Sequence, residues 1–444
     1  MARFEQNNDP NKADASPTKA FFVDIITKDI LLDEAIQDLI DNCVDGAKRM
    51  RPGPNPSYAG LWVKIHVGAD YFEISDNCGG IPLDIAQHYA FKFGRAAGFK
   101  STTGSVGQFG IGMKRALFKM GECFSIETVE PHASYKIDVD VPDWVDDNVN
   151  WDFDIDDLIT GPNDQDDLRT TLKVTKFAEG VADAFDDGFI ESLRQDIRSK
   201  QQPPMRIGLQ IFLNETAIIP TEWQMKEGDG IAPAFRSYQD DLGGEALLHT
   251  RLFAGVGESS RAHAGWYIFC NGRCILEADQ DRVTGWSQVS DGVNVPKYHG
   301  QFARFRGYAF LDSEDASILP WNTTKTGLDL ESSAYRLLLH RLIEITRPVI
   351  DFLNLLDGEK DMEPADRTLT RALDAARTVA LEKIPERPTF VYTPPPRRGP
   401  PMTSISYKKP KAEADQLKEA LNASNNKELG ELSFDVAFDA LVED

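Results

Sequence analysis

The chain has 444 residues, of which 41% are hydrophobic and 27% charged, a length and composition that allow two or three globular domains with their own cores. The formal net charge of −23 excludes nucleic-acid binding through the general surface, because most of that surface would repel phosphate. The sequence contains no run of about 18 apolar residues, no secretory signal and, among its five cysteines, no CxxC pair. We therefore expect a cytoplasmic protein without a membrane span or a disulfide framework.

The first part of the chain is predicted to be a disordered arm (1–19) followed by a helix and two paired strands. Residues 61–67 and 71–75 alternate as strands joined by a turn, and residues 94–112, rich in glycine, serine and threonine, are typical of a mobile loop. The helix is predicted over 20–50 because apolar residues recur there at helical spacing. They are Ile36, Leu39, Ile40, Cys43, Val44 and Ala47.

The middle of the chain alternates between strand and helix patterns. A helix at 113–120 precedes strands across 124–178, which an aspartate-rich stretch at 143–167 interrupts as a solvated surface insertion. A connecting helix is predicted at 185–199. A second strand-rich region then runs from about 204 to 330.

Within that second region, the clearest strands are 207–213 and 265–270. Helices are predicted at about 332–356 and 364–384. The next segment, 386–411, is rich in proline and has a net positive charge, and both a flexible spacer and a nucleic-acid contact are open interpretations of it. The acidic tail that ends the chain is predicted to contain short helices.

Three short motifs suggest chemistry, and the first lies on the predicted N-terminal helix. Asp38, Asn42 and Asp45 are spaced i, i+4 and i+7, which places them on nearly one helical face. A carboxylate one turn from an amide can hold a water beside a hard cation such as Mg²⁺, which prefers oxygen ligands. The same spacing is compatible with a polar stripe on an exposed helix. The neighbouring Asp41 is predicted to point elsewhere.

The second motif, Asp76-Asn-Cys-Gly-Gly80-Ile81, follows a predicted strand directly. An aspartate at a strand end can accept the exocyclic amino proton of adenine while glycines let the base approach the backbone; an Asx-type turn is the alternative. The third motif contains Gly107, Gly110 and Gly112 and leads from the loop into a helix, where freed backbone amides make an anion cradle. It has neither Walker nor Rossmann spacing.

In this order, the three motifs resemble the N box, G1 box and G2 box of the GHKL superfamily, which includes gyrase, MutL, the stress chaperones and MORC ATPases. The resemblance implies that Asn42 holds Mg²⁺, that Asp76 binds the adenine of ATP, and that amides of the glycine loop hold its phosphates. Further residues that it assigns to the nucleotide are Asp45, Gly80, Ile81, Gly107, Gly110, Gly112, Lys114 and Thr171. For Lys114, a surface lysine is an equal alternative. Thr170-Thr171-Leu172 stands where the family has a threonine that supports the adenine-side aspartate, and Thr171 is the residue assigned to that role.

Two features concern catalysis. Hydrolysing members usually have glutamate where this chain has Asp38, a shorter base, so we expect slow hydrolysis or binding without turnover. Phe269–Arg273 resembles the F-x-N-x-R turn of the MutL and gyrase transducer domain. Lys325 stands in a loop where those proteins carry a lysine that reaches the terminal phosphate, although a solvated loop lysine is an equal alternative.

The resemblance implies an α+β protein: a Bergerat α/β sandwich, with a mixed sheet covered by helices on one face, followed by a ribosomal-S5-like α+β transducer domain and a helical region. The predicted parts are a disordered arm 1–19, an ATP-binding domain 20–198, a transducer-like domain 199–335, a helical region 336–385, a basic linker 386–411 and an acidic tail 412–444.

We expect a switch that closes and forms a homodimer on Mg-ATP. One hypothesis is a MORC- or MutL-like role on nucleic acid or in defence, with the linker 386–411 as the basic contact. The alternative is a chaperone-like or scaffold switch that binds protein partners through its acidic tail.

Overall fold

A computed structural model describes residues 17–53, 55–92, 104–107, 110–147, 150–243, 246–322, 324–393 and 405–442. The chain forms two compact units, Met1–Pro394 and Pro395–Asp444. The first unit contains two sheet-based subdomains, which we name the N-terminal subdomain (19–218) and the second subdomain (224–392). Most of the predicted arm, most of the predicted loop 94–112 and part of the predicted linker lie outside the described residues.

The N-terminal subdomain combines an eight-stranded sheet with helices, as the sequence predicts. Its strands are β1 (Trp62–Val67), β2 (Phe72–Asp76), β3 (Gly121–Glu130), β4 (Ala133–Asp140), β5 (Asp156–Thr160), β6 (Arg169–Phe177), β7 (Gln210–Leu213) and β8 (Thr216–Ile218). Its helices are α1 (Lys19–Lys28), α2 (Leu32–Met50), α3 (Leu83–Ile85, continued by a π-helical turn Ala86–Ala90), α4 (Gly112–Met120), α5 (Val141–Asp146), α6 (Val181–Ala184), α7 (Asp187–Lys200) and α8 (Gln202–Arg206).

The strand order of this sheet is β5-β4-β3-β6-β2-β1-β7-β8, and every neighbouring pair is antiparallel except β1 with β7. Buried and half-buried residues alternate along β1 and β2, so one face of the sheet packs under the helices. The sheet extends past the predicted domain boundary at 198, because β7 and β8 join β1. The sequence places the apolar run 207–213 in the next domain, since a strand pattern does not reveal which sheet the strand joins.

The predicted helix over 20–50 is two helices, since α1 ends at Lys28 and α2 begins at Leu32. Apolar residues of α2 at helical spacing are buried on the sheet, including Ile36 and Ile40, which are both fully buried. The aspartate-rich stretch overlaps α5 and contains β5, and β5 is an exposed edge strand paired with β4.

The second subdomain is built on a five-stranded sheet. Its strands are β9 (Gln224–Glu227), β10 (Ile231–Ala232), β11 (Ala234–Asp240), β12 (Leu248–Val256), β13 (Gly265–Cys270), β14 (Arg273–Asp279), β15 (Gln288–Ser290), β16 (Val293–Val295), β17 (Phe305–Asp312), β18 (Arg377–Ala380) and β19 (Val391–Tyr392), and its long helices are α9 (Ser333–Gly358) and α10 (Thr368–Ala375). The main sheet has the order β11-β12-β17-β13-β14.

Helix α9 packs on one face of that sheet through Leu338, Leu342 and Val349, and a second apolar cluster covers the opposite face. Strand β13 is buried along its whole length, as expected for a strand covered on both sides. The predicted helix 364–384 is shorter than expected, because α10 ends at Ala375 and β18 follows, paired with β9.

The first residues of the predicted linker belong to this subdomain. Arg387 exchanges backbone hydrogen bonds with Phe235, its guanidinium donates to the Pro233 carbonyl at 2.7 Å, and β19 pairs with β10. In the second compact unit, the tail forms two helices, α11 (Lys411–Ala420) and α12 (Asn426–Leu441), as predicted. Across the described ranges, we find no helix with the length and apolar content that a membrane crossing requires.

Candidate nucleotide site

Helix α2 carries the first motif, and its three residues differ in accessibility. Asp38 and Asp45 are each 6% exposed, whereas Asn42 is exposed. The helix therefore presents the Asn42 amide to solvent while both carboxylates have protein neighbours. An accessible amide oxygen suits a hard cation that keeps some of its waters.

Asp76 ends β2 on the face that α2 covers, because the strand alternates and Phe72 and Ile74 are buried on the same side. Its Oδ1 accepts the Cys78 N–H at 2.7 Å. Burial raises the pKa of Asp76, and hydrogen bonds from the Cys78 N–H and the Cys43 thiol oppose that shift. The result is a buried carboxylate among thiols and apolar groups, an acceptor suited to an amino group of a flat heterocycle.

The turn after β2 needs glycine. Gly79 and Gly80 have φ angles of 95° and 71°, in the left-handed region that side chains disfavour. A Cβ on Gly80 would lie 2.4 Å from the carbonyl oxygen of Val129. The next residue, Ile81, donates its N–H to Thr128 Oγ1 at 2.9 Å. The turn is thus packed tightly on β3, beside Asp76.

The register of β6 changes the threonine assignment. Strand β6 pairs with β2 so that Thr170 lies opposite Asp76 and Thr171 lies opposite Ser75. Because residues opposite each other share a face, Thr170 is on the face of Asp76 and Thr171 is on the other face. Sequence spacing does not show which of two adjacent threonines lies beside Asp76. In the structure it is Thr170.

The glycine loop is described at residues 104–107 and from 110 onward. Asp45 Oδ1 accepts the Val106 N–H at 2.8 Å, and its Oδ2 accepts the Gly107 N–H at 2.9 Å. The Gly107 amide, which was predicted to hold phosphate, thus donates to a carboxylate of the same subdomain. A Cβ on Gly107 would lie 3.2 Å from that carboxylate and 3.8 Å from the Asn42 amide oxygen, so the loop closely approaches α2.

The same loop segment touches the second subdomain. Lys48 Nζ donates to the Gly104 carbonyl at 2.7 Å and to the Asn271 carbonyl at 2.9 Å. The Asn271 amide donates to the Ser105 carbonyl at 3.3 Å, and Val106 belongs to the apolar core of the second subdomain. The loop therefore bridges α2 and the turn between β13 and β14.

Asp38 faces the start of α4. Gly110 has a φ angle of 66°, and a Cβ on Gly112 would lie 3.1 Å from the Asp38 carboxyl carbon. Arg115, in the first turn of α4, donates from Nη2 to Asp38 Oδ2 at 2.6 Å. A helix N-terminus and a guanidinium together make this an electropositive end of the site.

Lys114 is not directed at a phosphate position. Its side chain is buried, and Nζ donates to the carbonyls of Ala90 (2.8 Å), Gly110 (2.6 Å) and Lys92. Burial lowers the pKa of Lys114 to about 7. The three bonds tie residues 90–92 to the start of α4, which is a structural role, so the predicted phosphate contact of Lys114 needs correction.

Lys325 enters the site from the second subdomain. It is 6% exposed, which rules out the solvated loop lysine, and its φ angle of 57° lies in the left-handed region. Its Nζ lies 3.2 Å from Asp38 Oδ1 and 2.8 Å from Asp41 Oδ2. Burial opposes the charge, but the two carboxylates outweigh burial and raise the pKa of Lys325. The lysine is a fixed cation between the two subdomains.

Sequence reasoning missed Asp41, Arg273 and Gln201 as site residues. Arg273 Nη1 donates to Asp41 Oδ1 at 2.8 Å, and Gln201 Nε2 donates to the same oxygen at 2.9 Å. A signal is present in the spacing, since residues three apart on a helix are only about 60° apart. Asp41 therefore lies close to the face of Asp38. The F-x-N-x-R turn is visible in the sequence, but the contact of its arginine with α2 is not.

The donor set fits a magnesium-bound triphosphate. Two cations, Arg115 and Lys325, converge on Asp38, an exposed amide is available at Asn42, and a helix N-terminus begins at Gly112. These are the groups that bind phosphate oxygens and a hard cation.

Comparison with known families agrees with this geometry. Residues 30–156 match the family model described as histidine kinase-, DNA gyrase B- and HSP90-like ATPase. The predicted resemblance to the GHKL superfamily is thereby confirmed for this segment, and it supports ATP binding. The matched segment includes the three motifs, whereas Thr170 and Lys325 lie beyond it. No curated protein matches the chain.

Proposed function

We propose that this protein is a nucleotide-operated switch that binds Mg-ATP, hydrolyses it slowly and changes the contact between its two subdomains. The observation that carries the proposal is that Lys325, from the second subdomain, reaches Asp38 on α2 at 3.2 Å. Helix α2 also carries Cys43, whose thiol lies beside Asp76. One helix therefore connects a purine-binding end, at Asp76, to a phosphate-binding end, at Asp38.

At the purine end, Asp76 accepts a hydrogen bond from the amino group of adenine. The tight turn at Gly80 brings the backbone close to the base. At the phosphate end, Lys325 moves from Asp38 to the terminal phosphate, a differential contact that favours one arrangement of the subdomains. Asn42 would hold Mg²⁺, which would neutralise phosphate charge and orient the terminal group.

Hydrolysis requires Asp38 to accept a proton from the attacking water. Both of its oxygens are ion-paired, Oδ1 with Lys325 and Oδ2 with Arg115, so neither oxygen is free to accept that proton in this arrangement. Transfer of Lys325 to phosphate would release Oδ1. Base activity is thereby coupled to the presence of a terminal phosphate, and the short aspartate side chain keeps turnover slow.

Calorimetric titration with Mg-ATP tests the binding proposal. The wild type should bind, and Asn42→Ala should lose affinity because the cation loses its protein ligand. Asn354→Ala is the matched control: it is also an exposed helical asparagine, but it lies on α9. Absence of heat from well-folded wild-type protein would overturn the proposal.

Closure and dimerisation are part of the proposal by the GHKL resemblance. Light scattering with and without a non-hydrolysable ATP analogue measures the mass directly. We expect doubling with the analogue and no change with ADP. An unchanged mass in both would remove the dimer while leaving the binding proposal intact.

A nucleic-acid role, including one in defence, would depend on the basic part of 386–411. Arg387 is engaged with Pro233 and Glu227, whereas Lys408, Lys409 and Lys411 are exposed. Replacing these three lysines with glutamine should weaken binding to DNA or RNA at low salt and reduce its salt dependence. If the wild type binds neither, this role fails.

The second candidate is a switch for protein partners, which the acidic surface and the exposed apolar residues of α12 favour. Phe434, Val436 and Phe438 are all more than 40% exposed. Co-purification with and without residues 412–444, in ATP and in ADP, tests it: a partner retained only with the tail and only with one nucleotide supports this candidate.

A further inference from the structure

Asp41 is a buried carboxylate of the site to which the sequence assigns no role. It is 1% exposed and has three side-chain donors: Lys325 at 2.8 Å, Arg273 at 2.8 Å and Gln201 at 2.9 Å. The donors come from three different segments, namely the 319–327 loop, the start of β14 and the junction of α7 with α8.

Asp41 is buried between two cations. Arg273 Nη1 lies 2.8 Å from its Oδ1, and Lys325 Nζ lies 2.8 Å from its Oδ2. A charge that is buried with two cations and a neutral donor is satisfied and held in one geometry. It therefore offers Lys325 a fixed counter-ion.

The two carboxylates that share Lys325 have different surroundings. Asp38 pairs with Arg115 of α4 and lies close to Gly112, the first residue of that helix. The other hydrogen-bond donors of Asp41 are Arg273, at the start of β14, and Gln201, at the junction of α7 with α8. Lys325 is also closer to Asp41 (2.8 Å) than to Asp38 (3.2 Å).

We propose that Asp41 is the positioning residue for Lys325: it keeps hold of the lysine while the lysine exchanges Asp38 for the terminal phosphate of ATP. Arg273 and Gln201 fix Asp41 in turn. This inference rests on the proposed function. It explains how Lys325, whose backbone is in the left-handed region, can release Asp38 and still remain in the site.

Loss of the Asp41 charge should affect binding of the terminal phosphate, which ATP has and ADP lacks. Without the Asp41 charge, Lys325 would pair with Asp38 alone or leave the site, and either change removes a contact that ATP has and ADP lacks. Asp41→Asn should therefore reduce the ATP-over-ADP affinity ratio by about tenfold or more, as expected for a lost charge-assisted hydrogen bond. Affinity for ADP should change little.

A double-mutant cycle tests the proposal. Affinities for Mg-ATP and Mg-ADP are measured by calorimetry for the wild type, Asp41→Asn, Lys325→Met and the double variant. We expect each single variant to lose the preference for ATP and the double variant to lose no more. Equal losses of ATP and ADP affinity in Asp41→Asn, or a further loss in the double variant, would overturn the proposal.

Asp240→Asn is the matched control, since Asp240 is a half-buried partner of Arg341 at 2.6 Å in the second subdomain, outside the site. It should lower the melting temperature and keep the ATP-over-ADP ratio. If Asp41→Asn does not fold, Gln201→Leu replaces it. We expect the ATP-over-ADP affinity ratio to fall roughly two- to fivefold, because Asp41 loses the hydrogen bond from the neutral Gln201 amide. An unchanged ratio would overturn the proposal.

The role of Asp41 and the proposed function fail in different ways. In one outcome, the wild type prefers ATP, Lys325→Met loses that preference and Asp41→Asn keeps it. This result would exclude the role of Asp41 and leave the proposed function in place. A wild type that binds no ATP removes both.

Discussion

The two ends of the site on α2 are built differently. At the purine end, the buried carboxylate of Asp76 has thiols, a backbone N–H, the guanidinium of Arg49 and apolar residues of a single subdomain around it. At the phosphate end, Asp38 and Asp41 pair with Arg115, Arg273 and Lys325 among the described residues, and both Arg273 and Lys325 come from the second subdomain.

This difference separates recognition from response. Under the proposed function, a base bound at the purine end would contact one subdomain, so it would give affinity without a preference between arrangements of the two. A terminal phosphate would compete with Asp38 for a cation of the other subdomain, so this end would convert nucleotide state into a conformational preference. Variants at the two ends should therefore have separable effects.

The largest expected effect is at the phosphate end, on rate alone. Asp38→Ala should lower single-turnover hydrolysis by roughly 10²–10⁴-fold, because it removes the group that accepts the proton. ATP affinity should be retained or increased, since Arg115 and Lys325 lose a competing anion. Quench-flow with labelled ATP and calorimetry measure the two quantities. Unchanged hydrolysis would show that another group is the base.

The next largest effect is at the purine end, on affinity alone. Asp76→Asn should weaken ATP and ADP by the same factor, about 10–100-fold, because an amide replaces the charged acceptor of the adenine amino group. Competition titrations with both nucleotides measure it. A loss confined to ATP would contradict the division of the site into two ends.

The pH dependence of binding should follow Asp76. Its folded pKa is raised by burial, so on acidification it takes up a proton before an ordinary aspartate does, and affinity for both nucleotides should fall by up to about tenfold per pH unit. Protonation in that window favours the folded state, because the folded pKa exceeds the unfolded one. Circular dichroism should therefore show intact protein while calorimetry shows lost binding, and Asp76→Asn should lack this dependence.

The smallest effect concerns stability at the purine end. Gly80→Ala places a Cβ 2.4 Å from the Val129 carbonyl oxygen in addition to the strain of a positive φ. Gly180→Ala is the control, with a φ angle of 79° and no atom within 4 Å of its Cβ. The first variant should be less stable than the second by about 1–3 kcal/mol in urea unfolding, the range for overpacking. Equal stabilities would mean that the turn can relax away from β3.

The strand and the glycine turn on either side of Asp76 are predicted from the sequence. Asp76 follows a strand and precedes a glycine turn, and both features are local, so periodicity and motif order locate them. The one local error, Thr171 in place of Thr170, arises because adjacent residues of a strand point to opposite faces and register depends on the partner strand. The same dependence on pairing explains why β7 is predicted in the wrong subdomain.

The phosphate end is predicted only in part. Lys325 is named by resemblance, but its contact with Asp41 joins residues 284 positions apart, and no local pattern contains such a pairing. Lys114 is assigned to phosphate because it follows the glycines, whereas its surroundings turn its nitrogen to three carbonyls.

By itself, the sequence determined the order of the three motifs, because each motif depends on short-range spacing. The resemblance that they carry implied the α+β fold class and a GHKL-type domain, and the family match covers residues 30–156. Only the tertiary structure decided which charged residues form ion pairs with one another. Asp38, Asp41, Arg273 and Lys325 meet because two subdomains pack against each other, and electrostatic contacts between distant segments follow from that packing.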